Sequence, residues 1–117
     1  MGWIGVDLDG TLAKYHGWKG MDKIGAPIPA MVERVKTLLD DGWDVRIFTA
    51  RVSLEGKPQA ERELVRATIE TWCVQHLGRK LPITCCKDFS MIALYDDRCV
   101  AVEHNTGKLL SPDMMRS

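Results

Sequence analysis

WIGVDLDGTL, running from Trp3 to Leu12, decides how the rest of the chain is read. Its apolar lead-in, Ile4 to Val6, has strand character and ends in two aspartates one residue apart, followed at once by Gly10 and Thr11. Side chains alternate along a strand, so Asp7 and Asp9 share a face if the strand stays regular. Gly10 permits a sharp turn there instead. In either geometry two carboxylates are held close at the mouth of a sheet. Their repulsion is costly unless a cation lies between them or one keeps a proton. Such a pair is the raw material of a magnesium site, a nucleophile, or both. The plainer reading is a turn, which Asp and Gly favour. The apolar lead-in and Thr11 weigh against it.

Outward from this strand, expected over residues 3–8, the pattern alternates. Ala13 to Pro29 reads as a loop, long for a compact domain, and loops of that length are usually functional or mobile. A helix is expected from about Ala30 to Asp40, where Met31, Val32, Val35, Leu38 and Leu39 keep the helical period. Pro29 suits its first turn and Gly42 its end. WDVRIFT, Trp43 to Thr49, reads as a second strand, and Arg51 to Pro58 as a loop. A long helix follows from about Gln59 to Leu77, with Leu64, Ala67, Ile69, Trp72 and Cys73 as its apolar stripe and Gly78 as its cap. PITCC (Pro82 to Cys86) and MIALY (Met91 to Tyr95) read as further strands, and Val100 to Glu103 as a fifth. From Asn105 onward the chain reads as loop, with a turn at Asn105-Thr106-Gly107.

Strands alternating with helices argue for a parallel α/β sheet, here a Rossmann-like three-layer sandwich in a single domain. Ligands of such sheets sit at the carboxyl ends of the strands. The polar residues just past each strand are Asp7 and Asp9, Thr49 and Arg51, Lys87, and Asp96 and Asp97. All of them converge on one edge.

Composition narrows the class further. The 117 residues suit one domain, and 45% hydrophobic with 27% charged residues suit a soluble globular protein. Sixteen acidic and sixteen basic side chains balance, so no global field favours nucleic acid or an anionic membrane. No stretch approaches the roughly 18 apolar residues of a membrane span, and a cytoplasmic location is the expectation. The four cysteines lack the spacing of a zinc or redox motif. All four read as small buried hydrophobes, Cys85 and Cys86 pointing to opposite faces of a strand. Trp3, Trp43 and Trp72 read as core.

Four segments in this order resemble the haloacid dehalogenase superfamily of phosphotransferases. DLDGTL at Asp7 to Leu12 is similar to its nucleophile motif, RIFTAR at Arg46 to Arg51 to its second, Lys87 to its third, and ALYDDR at Ala93 to Arg98 to its acidic fourth. The resemblance implies a magnesium-dependent phosphatase. Asp7 would attack phosphorus and form an aspartyl-phosphate. Asp9 would act as general acid and then as base. Thr49 and Lys87 would bind the phosphate. Mg2+ would be held by Asp7, Asp96 and the backbone carbonyl of Asp9, with Asp97 a ligand or a neighbour of the ligands. Thr11, Arg51, Arg98 and Trp18 are candidate substrate contacts, the arginines having an ion pair as their alternative.

Neither loop is long enough for the cap domain that larger members of that superfamily carry. The site is expected to be open, covered only by the loop after Leu12, which suits a bulky or polymeric phosphate ester such as a polymer end, a phosphorylated small molecule being the other substrate class. Nucleic acid enters only as such a substrate, and a second copy of the chain is the other cover. The main alternative is a silent relative that binds phosphate or a partner. A receiver domain would carry its aspartate mid-chain and its lysine near the end. A dehalogenase or phosphonatase would need a cap and groups that this sequence lacks.

Overall fold

The computed structural model describes residues 2–53 and 55–110. Strand β1 (Trp3–Asp7) leads to helix α1 (Pro29–Asp40), strand β2 (Asp44–Phe48), a short 3-10 turn (Ala50–Val52) and helix α2 (Gln59–Leu77). Strands β3 (Ile83–Thr84) and β4 (Met91–Tyr95) complete one sheet of order β3-β2-β1-β4. Every pairing is parallel, as the alternating pattern requires.

The register explains the core. Ile4 faces Val45 across the ladder and Val6 faces Ile47, so these four apolar side chains line up in neighbouring pairs. Val6, Val45 and Ile47 join Val35 of α1 and Val65, Ile69, Trp72, Cys73 and Leu77 of α2 in one buried cluster. Burying a side chain such as Ile69 contributes about 1.5–3 kcal/mol. Pro29 occupies the first turn of α1, and α2 stops where Gly78 takes the left-handed conformation at φ 84°.

Several expectations are corrected. The buried stripe of α2 runs through Val65, Ile69, Trp72, Cys73 and Leu77, while Leu64 is 48% exposed and Ala67 faces solvent. Ile69, Trp72 and Cys73 lie in the stripe as expected, while Val65 and Leu77 take the inward places expected of Leu64 and Ala67. Trp43 lies before β2 and is 45% exposed, so it is not core. β3 is two residues long and excludes Cys85 and Cys86. Residues 100–103 make no strand of the sheet. Val102 forms only an isolated antiparallel bridge with Leu109, because Asn105 and Gly107 at positive φ reverse the chain locally. The turn at Asn105 is present, and the tail beyond Leu110 lies outside the described residues. No described helix is long and apolar enough to cross a membrane.

The long loop is cinched at its base. Ala13 bridges Pro27, Lys14 N–H donates to the Ala26 carbonyl and Ile28 N–H to that of Leu12. A Cβ at Gly25 would collide with the Lys14 carbonyl, so only glycine lets the two arms approach. Trp72 Nε1 pins the loop to α2 through the Gly25 carbonyl at 3.0 Å. The segment is a flap with a fixed neck.

Candidate active site

β1 and β4 are neighbours and end at the same height, so Asp7 from one and Asp96 and Asp97 from the other meet at the carboxyl edge. One carboxylate oxygen from each lies within 4.8 Å of the others. Thr11 organises this meeting. Asp97 N–H donates to Thr11 Oγ1 at 2.9 Å, and the hydroxyl proton is offered to Asp97 Oδ1 at 3.1 Å and Asp7 Oδ2 at 3.3 Å. Thr11 is buried and is not among the side chains that line the cavity; its hydrogen bonds tie the two strand ends together. Gly10 turns the chain at φ 92°, and a Cβ there would stand 2.6 Å from Asp97 Oδ2.

Crowding acts on Asp7. Burial pushes its carboxyl up to about 7, and the charge of Asp96, a hydrogen bond with Asp97 and the charge of Asp97 push the same way, against a lowering hydrogen bond from Thr11. Three carboxylates with converging oxygens fit a hard divalent cation of the magnesium type, which takes oxygen ligands and offsets this repulsion. Asp7, Asp96 and Asp97 are the side chains that could hold such an ion.

Asp9 faces a different partner. Its carboxylate accepts from Arg51 Nε at 2.7 Å and from Arg51 Nη2 at 2.8 Å. Arg51 is buried on the 3-10 turn after β2, and Nη2 also donates to the Lys23 carbonyl at 2.8 Å. Its guanidinium carbon lies 4.9 Å from the centroid of the Trp18 ring. Of the two readings open for Arg51, the ion pair is the one observed, and no substrate contact by it is needed to explain its burial. Nη1 is buried without a partner among the described residues. Thr49 is buried beside this pair and its Oγ1 caps the turn by accepting Arg51 N–H at 3.2 Å, leaving the hydroxyl proton free to donate.

Asp7, Asp9, Asp96, Asp97, Thr49 and Arg51 all line one cavity of about 1500 Å3. Trp18 and Arg98 line it as well. Lys87 does not. It lies three residues past the end of β3, in a connection that runs back toward the start of β4, where Asp88 accepts a hydrogen bond from Trp3 Nε1 at 2.8 Å. That anchor draws the segment away from the carboxyl edge, and Lys87 is exposed. The cations that the fold does bring to the cavity are Lys14 in the flap and Lys57 before α2, together with Arg51 and Arg98. The sequence reading passed over Lys14 and Lys57. Their signal was their position in the two loops that leave the carboxyl ends of β1 and β2.

The fold and the site define a compact α/β domain of Rossmann-like type with an acidic cavity at the carboxyl edge of its parallel sheet. No model of a protein family matches the chain, and no curated protein matches it. A solved structure of a conserved protein from Bacteroides thetaiotaomicron is similar in fold, with a TM-score of 0.55 and 22% identity over 83% of this chain and 76% of that one.

Proposed function

We propose that the protein is a magnesium-dependent phosphohydrolase that works through an aspartyl-phosphate on Asp7. The observation that carries this reading is the convergence of Asp7, Asp96 and Asp97 within 4.8 Å at the floor of a cavity that Thr49 also lines. Bound Mg2+ would neutralise charge on the phosphate and on this cluster. An Asp7 oxygen then forms a bond to phosphorus as the bond from phosphorus to the leaving oxygen breaks. Thr49 donates its hydroxyl proton to a phosphate oxygen, and the lining cations Lys14, Lys57 and Arg98 complement the remaining charge. Asp9 takes a proton from solvent, gives it to the leaving oxygen and later takes one from the water that opens the aspartyl-phosphate. Both Asp9 oxygens now accept from Arg51, so a leaving oxygen meets Asp9 only after one of those hydrogen bonds gives way.

A second reading, a domain that binds phosphate or a partner without turnover, is favoured by that occupied Asp9 and by the position of Lys87 outside the cavity. Phosphate release from a panel of esters, with and without Mg2+, separates the two. Turnover that needs Mg2+ and vanishes in Asp7→Asn supports the hydrolase. Equal release by Asp7→Asn would sink the covalent route. Mg2+ binding without release from any ester would favour the binding domain.

A further inference from the structure

Cys85 and Cys86 follow β3 directly, and on a continued strand their side chains would point to opposite faces. They do not. Thr84 Oγ1 accepts Cys86 N–H at 3.1 Å and donates to the Cys86 carbonyl at 3.4 Å, which turns the chain at the strand end. The turn brings the two sulfurs to 3.8 Å. Cys85 is half-buried and Cys86 is exposed, so the expectation of buried, divergent thiols fails for both. Neither lines the acidic cavity. Cys99 is exposed at that cavity and Cys73 is buried in the core, so the pair stands apart from the other two cysteines.

The separation selects a ligand geometry. Metal–sulfur bonds of about 2.3 Å drawn to two sulfurs 3.8 Å apart meet at about 110°, the tetrahedral angle. A linear two-coordinate ion would need its sulfurs about 4.6 Å apart by the same bond length. Thiolates select soft metals, whereas the carboxylates of Asp7, Asp96 and Asp97 suit hard ones.

We propose that Cys85 and Cys86 form a two-thiolate site for a soft divalent cation of tetrahedral preference, Zn2+ or Cd2+. Each thiol gives its proton to solvent as its sulfur bonds to the ion, two protons leave per ion, and no oxidant or reductant takes part. The two remaining positions of the ion take water. Lys87 is the next residue, so an occupied pair fixes the segment that carries it. This site stands independently of the reaction proposed above.

The test is a Cd2+ titration of the whole chain, kept reduced by a phosphine and held in excess Mg2+ to compete for hard oxygen sites. The ultraviolet thiolate-to-metal charge-transfer band is followed together with proton release. Wild type should bind one Cd2+ per chain and release two protons. Cys86→Ser replaces an exposed side chain and so leaves the fold intact, and it should weaken binding by about tenfold or more, as should Cys85→Ser. Cys99→Ser should leave the midpoint unchanged. Absence of the band in wild type, an unchanged midpoint in Cys86→Ser, or dependence on Cys99 would each overturn the proposal.

Discussion

Arg51 holds Asp9 through two parallel hydrogen bonds, Nε to Oδ2 at 2.7 Å and Nη2 to Oδ1 at 2.8 Å. The pair is well covered, the Arg51 side chain being 5% exposed and that of Asp9 20%. The same guanidinium donates to the Lys23 carbonyl and lies against Trp18, so one side chain joins β1, β2 and the flap. Removing it strands a covered carboxylate and frees the flap from one of its anchors. Arg51→Met should cost about 3 kcal/mol in urea unfolding. Trypsin should also cut sooner at the exposed flap lysines Lys14, Lys19 and Lys23. Asp9→Asn combined with Arg51→Met should recover part of the loss, because the second change removes the stranded charge. A cost below about 0.5 kcal/mol would mean that the pair is unimportant to the fold.

The raised carboxyl of Asp7 gives a stability that falls with rising pH. The group titrates near 3.8 when unfolded and at about 7 when folded, so the folded chain binds this proton more tightly. Its contribution is fully present below pH 3.8 and is lost as pH rises through about 7. Without divalent cations, Asp7→Asn should therefore melt higher than wild type at pH 8 and close to it at pH 4. Asp7 is only half-buried, and solvent screening limits the gain to about 1 kcal/mol, roughly 4 °C in a domain of this size. Equal differences at the two pH values would contradict the crowding of Asp7.

Magnesium should reverse that pH trend. At about 100 times its Kd the ion adds about 2.7 kcal/mol to the folded state. The increment should be large at pH 8, where Asp7 is ionised, and small at pH 5. Asp96→Asn should remove most of it, since Asp96 belongs to the converging triad. Thermal shifts at the two pH values, for wild type and Asp96→Asn, measure this directly. An equal shift in the variant would place the ion elsewhere.

Gly10→Ala tests the turn beneath the cluster. The backbone at φ 92° resists a side chain, at about 1–2 kcal/mol, and the new methyl would press on Asp97 Oδ2. The variant should lose stability by at least that amount and bind Mg2+ more weakly, because Asp97 must move. Unchanged Mg2+ affinity with reduced stability would show that the geometry of Asp97 does not matter to the ion.

Much of the scaffold was legible because it depends on local periodicity. The α2 span, the β4 span and the parallel pairing follow from apolar spacing and from the alternation of strands with helices. Their failures are also physical. Leu64 and Val65 are adjacent apolar residues, and only the packing of α2 on β1 and β2 decides which one turns inward. The short β3 depends on a hydrogen bond from Cys86 N–H to Thr84 Oγ1 that ends the strand before its two cysteines.

The meeting of Asp7, Asp96 and Asp97 was set by sequence, because all three follow strands that a parallel sheet ends at one edge. The partners of the remaining polar groups were decided in three dimensions. Arg51 to Asp9, Thr11 to Asp97, Lys57 in the cavity and Lys87 outside it all depend on where loops lie, and loops have no period to read. Strand order and side-chain alternation are properties of the chain itself. Which charge a long side chain finds is settled only when distant segments have packed.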